Sequence, residues 1–183
     1  MLESAGVSFS AEPAAVDEEA IKRSLRSRGA AAPSVAEALA AEKAEVVSRR
    51  HSSALVIGSD QVLSCNGRWF DKPPDRAAAK AQLMALRGHR HELTAAVVVV
   101  SGGTRLWRHV DRAELVMRPF SETFADEYLD RTGDDACQSV GAYRIEGLGV
   151  QLFEAIHGDI FTIMGMPLLP LLGFLRAQGV VPT

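Results

Sequence analysis

The apolar run from Ala54 to Leu63 most restricts what this chain can fold into, because it contains an ionisable acid, Asp60. The run predicts a strand with apolar residues on both faces, which is typical of the centre of a sheet covered by helices. Burying an unpaired carboxylate is costly, so such an acid is usually paired with a cation, bound to a metal or catalytic. The alternative interpretation is a structural Asp that caps a turn at the strand end.

The remaining hydrophobic pattern alternates helices with strands and predicts a single α/β domain over residues 1–183. Ser34 and Glu37 have capping-box spacing and predict a helix start after a loop at 30–33. The other predicted helices are Asp17–Arg28, Arg76–Leu86, Ser121–Arg131 and Pro167–Gln178. The other predicted strands are His91–Ser101, Leu106–Met117 and Val150–His157, and Asn66–Gly67 is a hairpin turn signal.

Two lysines are candidates for an anion site near Asp60. Lys43 lies four residues from both Leu39 and Val47, beside the apolar stripe of its helix, so it either extends its head to the rim or reaches an anion in a cleft. Lys72 follows the predicted hairpin, where a two-residue loop sets it opposite Gln61 and one bulge would set it opposite Asp60.

Composition excludes several classes of protein. The net charge of -3 gives no basic field for nucleic acid or anionic lipid, and the apolar runs are too short to span a bilayer. Two distant cysteines, Cys65 and Cys137, form no disulfide framework or metal-ligand spacing, which fits a cytoplasmic protein. His89 and His91 alternate on a predicted strand without further ligands, so we predict exposed positions for them.

Eight fragments, taken together and in order, resemble the Maf family of nucleoside triphosphate pyrophosphatases. They are residues 2–9, 15–18, 39–44, 58–61, 72–73, 86–91, 141–149 and 163–168. The 141–149 segment is rich in glycine but has no P-loop or dinucleotide-binding spacing. By itself it predicts only a flexible loop that carries one acid, Glu146.

The resemblance implies a mixed, twisted sheet flanked by helices, with two lobes around a central cleft, in a cytoplasmic enzyme that is often a homodimer. It implies hydrolysis of a nucleoside triphosphate to the monophosphate and pyrophosphate with a divalent metal such as Mg²⁺. Carried onto matching positions, it makes Asp60 the proton acceptor, Lys43 and Lys72 phosphate-binding cations, and Glu18 a metal or water partner.

Substrate specificity within the family is predicted from two positions. Gln61 and Glu146 resemble the 7-methyl-GTP branch, whereas the dTTP and UTP branch carries Thr and Gln there. A carboxylate suits guanine, whose N1–H and amino group donate hydrogen bonds, and would repel the carbonyls of uracil or thymine. Two observations count against this assignment: Ala142 and Tyr143 resemble the dTTP and UTP branch, and Glu146 could instead pair with Arg144. On balance the predicted substrate is 7-methyl-GTP first and dTTP or UTP second.

The family also opens with a strand and a Ser-x-Ser-Pro-Arg-Arg-type phosphate loop that would precede Leu2. Either Met1 is an internal methionine or the protein is truncated, and in both cases we expect weak or absent catalysis from residues 1–183 alone. The competing function is non-enzymatic: a nucleotide-binding regulator linked to cell division that keeps the pocket without turnover.

Overall fold

The computed structural model describes residues 1–182 and contains six α-helices and five strands within that range. The helices are α1 (Glu18–Ser27), α2 (Ala32–Ser48), α3 (Arg76–Leu86), α4 (Glu122–Thr132), α5 (Ile160–Ile163) and α6 (Leu168–Ala177). The strands are β1 (Val56–Cys65), β2 (Arg68–Phe70), β3 (Arg90–Ser101), β4 (Thr104–Met117) and β5 (Phe153–His157). The predicted α/β class is therefore confirmed.

The strands form one open sheet in the order β2-β1-β3-β4-β5. The turn between β1 and β2 uses Asn66 and Gly67, both at positive φ, and pairs Cys65 with Arg68 in an antiparallel ladder. This is the predicted two-residue hairpin. The ladder ends at the pair Leu63 and Phe70, so Lys72 follows β2 rather than pairing within it.

The chain divides into two compact units. Unit 1 contains Met1–Gln61, Thr94–Asp111 and the segment from Asp159 onward, and unit 2 contains Val62–Leu93 and Arg112–Gly158. The core of unit 1 joins the N-terminal segment to β3 and α6 through buried aliphatic side chains. These are Leu2, Val7, Val97, Val99, Leu168, Leu171 and Leu175.

Unit 2 contains a buried histidine. His91 is 2% exposed, its Nε2 lies 2.7 Å from Tyr143 Oη, and its Nδ1 has no hydrogen-bond partner. Its ring also packs beside Tyr143 and Phe153. The prediction of an exposed His91 was therefore wrong, although His89 is exposed as expected. Alternation fails here because β3 is buried along the whole of 93–100.

The starts of α2 and β5 also differ from the sequence prediction. Helix α2 begins at Ala32, with Pro33 in its first turn and no side-chain cap, so the capping box at Ser34 and the loop at 30–33 are wrong. Proline has the φ angle of a helix and needs no N–H bond in the first turn, which favours the earlier start. Strand β5 begins at Phe153 because 148–152 form a 3-10 helix.

Within residues 1–182, no helix is both long enough and apolar enough to cross a membrane.

Candidate active site

Strand β1 and helix α2 approach each other closely at Gly58. A Cβ atom at that position would lie 2.2 Å from the Ala40 carbonyl oxygen and 2.8 Å from the Ala44 amide nitrogen. These distances are far below van der Waals contact, so the approach requires glycine. Because Lys43 belongs to this turn of α2 and Asp60 shares the helix-facing side of β1, the close approach brings the two side chains together.

The three side chains Glu18, Lys43 and Asp60 form one contiguous cluster, all within unit 1. The Lys43 ammonium lies 2.9 Å from Asp60 Oδ1 and 2.8 Å from Glu18 Oε1. Glu18 is the first residue of α1, whose N-terminus is capped by the Asp17 side chain. The charges sum to minus one, so the cluster retains an excess negative charge after pairing.

Asp60 is the less exposed acid of this cluster, and its charge is only partly compensated. Burial raises the pKa of the Asp60 carboxyl above its ordinary value, and the opposing charge and hydrogen bond of Lys43 do not cancel that effect. Asp60 Oδ2 is buried and has no hydrogen-bond partner. Burial lowers the pKa of Lys43, but the bonds and charges of Glu18 and Asp60 outweigh it and raise the pKa overall. The Lys43 ammonium pairs with two carboxylates, whereas Asp60 pairs with a single cation that it shares with Glu18.

Gln61 makes contacts that its sequence motif did not indicate. Its side-chain nitrogen donates to the Thr162 carbonyl at 2.9 Å and to the Ile163 carbonyl at 3.0 Å. Both amide protons are therefore used within unit 1, and only the Oε1 acceptor remains for another partner. Substrate binding by Gln61 stays a prediction, with Oε1 as its remaining hydrogen-bonding atom.

The other two predicted substrate-binding residues lie in unit 2. Lys72 is exposed in the segment after β2, and the described residues include no ion pair to it. Glu146 is exposed and accepts a hydrogen bond from Arg144 Nε at 2.9 Å, which is the structural alternative considered above. The hydrogen bond to Glu146, together with the negative charge of Glu146, also raises the pKa of Arg144. Glu146 and Lys72 do not pair with each other.

The divalent cation that the family resemblance implies would need oxygen ligands from the protein. Across residues 1–182, no three His, Cys, Asp or Glu side chains are grouped so that they could hold an ion. Glu18 and Asp60 supply two carboxylates near one another, and Mg²⁺ commonly uses one or two carboxylates with substrate phosphates and water. The cluster thus fits a metal carried with a triphosphate, and the protein groups alone do not complete a site.

The sequence of this chain is similar to known proteins along nearly its whole length. Residues 1–178 match the family described as Maf-like protein, and the chain belongs to it. The family predicted from the eight fragments is confirmed.

Relatives in this family carry two different names. A protein of Paramagnetospirillum magneticum named nucleoside triphosphate pyrophosphatase is 55% identical over 179 residues, covering 98% of this chain and 92% of the relative. One of Granulibacter bethesdensis with the same name is 54% identical over 176 residues, covering 96% and 89%. One of Rhizobium etli named 7-methyl-GTP pyrophosphatase is 51% identical over 181 residues, covering 99% and 91%.

Proposed function

We propose that this chain hydrolyses a nucleoside triphosphate to the monophosphate and pyrophosphate, as a hydrolase acting on acid anhydrides. The observation that carries the proposal is the Lys43 ammonium held between Glu18 and Asp60. The names of the relatives support the same reaction. Hydrolysis of this kind is mostly positioning and charge neutralisation, and it needs cations beside an acid that can orient water.

Each member of the cluster has a proposed role. The Lys43 ammonium exchanges one of its carboxylate partners for a phosphate oxygen of the substrate. Its positive charge then offsets negative charge on the phosphate. The Asp60 carboxylate, whose Oδ2 has no hydrogen-bond partner, accepts a proton from the water that attacks the α-phosphorus as pyrophosphate leaves. An Asp with an ordinary pKa is a weak base, and the raised pKa of Asp60 moves it toward the range where a general base is effective.

Glu18 is the residue that would hold a divalent cation, with Mg²⁺ as the expected ion. When bound, the cation neutralises charge on the triphosphate and its leaving group. Lys72, exposed and without an ion pair in the described part of the chain, is proposed to bind the phosphates as a second cation. It is the available ammonium nearest in sequence to β1.

The proposed substrate is 7-methyl-GTP, with dTTP or UTP second. Glu146 supports this order because a carboxylate can accept the two hydrogen bonds that guanine donates. The name of the Rhizobium etli relative points in the same direction. Arg144 already pairs with Glu146, so base binding requires that the carboxylate has an oxygen free or exchanges this partner.

Release of pyrophosphate tests the reaction directly. The protein is incubated with Mg²⁺ and, separately, 7-methyl-GTP, GTP, dTTP and UTP, and both products are measured. We expect equimolar pyrophosphate and monophosphate, fastest from 7-methyl-GTP and abolished by a chelator. If all four nucleotides bind but none releases pyrophosphate, even in a version extended by the N-terminal Ser-x-Ser-Pro-Arg-Arg-type segment, the enzyme would be contradicted and the regulatory function favoured instead.

A matched pair of variants tests the proposed base contact. Glu146→Gln removes the carboxylate. Arg144→Gln removes the ion-pair partner of Glu146 and keeps the carboxylate. We expect Glu146→Gln to lower the turnover of 7-methyl-GTP relative to dTTP, because an amide can also donate to a carbonyl. Arg144→Gln should leave that ratio unchanged. An equal effect of both variants on the ratio would assign the pair a structural role only.

A further inference from the structure

The residues on either side of Asp60 in β1 both bind the same backbone segment, Thr162–Gly165. Ser59 Oγ lies 2.7 Å from the Gly165 carbonyl oxygen and 3.0 Å from that of Ala96. Gln61 binds the Thr162 and Ile163 carbonyls from the same segment. Neighbours in a strand point to opposite faces, so both anchors lie on the face opposite to the Asp60 side chain.

These contacts fix the strand at the point where it carries the acid. The Ser59 and Gln61 side chains are half-buried, and their bonds reach more than 100 positions along the chain. Asp60 itself has only one hydrogen-bonded side-chain partner, Lys43, and its second oxygen has none. The direction of the Asp60 carboxylate therefore depends on the backbone of β1 more than on its own contacts.

We propose that Ser59 and Gln61 are positioning residues, which hold Asp60 toward Lys43 by tying β1 to the Thr162–Gly165 segment. This inference rests on the proposed function, because it gives the pair a role in that same site. It also assigns Gln61 a different role from contact with the substrate, since both of its amide protons are used by backbone carbonyls. The two roles have different kinetic consequences.

The kinetics of Ser59→Ala and Gln61→Ala distinguish a positioning role from direct contact with the substrate. A misplaced base lowers kcat by about tenfold to a hundredfold, while KM changes less than about twofold, because substrate contacts remain. The order of preference among 7-methyl-GTP, GTP, dTTP and UTP stays the same. In an Asp60→Asn background, neither anchor variant lowers the residual rate further. A changed order of nucleotides, or an additional loss without Asp60, would overturn the proposal.

Ser48→Ala is the matched control for Ser59→Ala. Ser48 is 1% exposed, lies in unit 1 and accepts a hydrogen bond from the Gly103 amide at 3.3 Å, but it does not flank Asp60. The control loses a buried hydroxyl and keeps kcat within about twofold of wild type. If it lowered kcat as much as Ser59→Ala, general loss of stability would explain both results and the proposal would fail.

A second measurement needs no turnover. The coupling between Lys43 and Asp60 is obtained from the unfolding of Lys43→Met, Asp60→Asn and the double variant. We expect Ser59→Ala and Gln61→Ala each to reduce this coupling by at least half, and Ser48→Ala to leave it unchanged. If wild type releases no pyrophosphate even when extended by the family's N-terminal segment, the proposed function fails, and this cycle still decides the positioning role. Unchanged coupling in both anchor variants would refute it.

Discussion

Lys43 Nζ lies 2.9 Å from Asp60 Oδ1, and the same ammonium lies 2.8 Å from Glu18. One cation thus serves two carboxylates, and the more buried of them keeps an oxygen without any partner. Such an arrangement does not give maximal stability, since burial still raises the pKa of Asp60 despite the ion pair. Sites that bind charged substrates commonly retain uncompensated charge of this kind.

Replacing Asp60 with Asn should therefore separate activity from stability. We expect pyrophosphate release to fall by about 10²–10⁴-fold, the usual contribution of a general base. The free energy of unfolding near neutral pH should be equal to or above that of wild type, because the amide removes a charge that is costly to bury and Lys43 keeps Glu18. The rate of pyrophosphate release and the free energy of unfolding are measured on the same preparation, the second by chemical denaturation.

The control for Asp60→Asn is Asp75→Ala, which removes the N-cap of α3. The Asp75 carboxylate accepts a hydrogen bond from the Ala78 amide at 2.8 Å. Its loss should cost about 1 kcal/mol of stability and leave turnover near that of wild type. If Asp60→Asn were the less stable of the two variants, our account of its electrostatics would be incorrect.

Removal of the lysines should distinguish an internal ion pair from a surface cation. Lys43→Met leaves Glu18 and Asp60 close together without their cation, so we expect a loss of about 3 kcal/mol in the free energy of unfolding. Lys72→Met changes an exposed residue and should alter stability by less than about 0.5 kcal/mol. Both should raise the KM for the triphosphate. Equal stability of the two variants would contradict the ion-pair cluster.

Local rules explain why much of the fold could be predicted. Asp17, Asp75 and Ser121 each accept a hydrogen bond from the helix that follows, as their positions before helical patterns indicate. Asn66 and Gly67 adopt the positive φ angles that a two-residue hairpin requires. In each case the residues that determine the structure are neighbours in sequence.

Long-range contacts explain the features that local patterns could not predict. Glu37 has capping-box spacing from Ser34, but its carboxylate pairs with Arg108, 71 positions away. Similarly, the side-chain amide of Gln61 is bonded to carbonyls more than 100 positions away, which no local motif indicates. Lys43 was a candidate because helical spacing alone places it beside the apolar stripe. Its contact with Asp60 depends on Gly58, whose role could be seen only in the fold.

Buried His91 predicts a loss of stability in acid. Burial lowers the pKa of His91 to about 4, from an ordinary value of 6.5. Between these pH values the unfolded chain binds more protons than the folded one. The contribution of neutral His91 to the free energy of unfolding is therefore complete above pH 6.5 and is lost as pH falls through about 4. The total contribution is about 3 kcal/mol. Urea unfolding at several pH values measures it.

His91→Gln removes this titration and should flatten the dependence of stability on pH across that interval. His89→Gln is the control, because His89 lies two residues earlier and is exposed. Its loss should leave the dependence of stability on pH the same as in wild type. Tyr143 faces the His91 ring and does not titrate in this interval, since burial raises its pKa well above the ordinary value. If both variants kept the wild-type slope, another group would be responsible for it.

Gly58 tests whether the close contact of strand and helix is what assembles the cluster. In Gly58→Ala the new methyl group would lie 2.2 Å from the Ala40 carbonyl oxygen, so β1 and α2 must separate. We expect a loss of about 1–3 kcal/mol in the free energy of unfolding, as for other overpacked sites. Because separation lengthens the distance between Lys43 and Asp60, pyrophosphate release should fall by about a hundredfold as well.

Gly173→Ala is the control for Gly58→Ala, with the same chemical change inside α6. A Cβ at Gly173 meets nothing within 4 Å, and glycine inside a helix costs roughly 0.5–1 kcal/mol relative to alanine. This variant should therefore be slightly more stable than wild type and equally active. A stable, fully active Gly58→Ala protein would show that the cluster does not depend on this contact, whereas loss of activity in both variants would indicate a nonspecific effect.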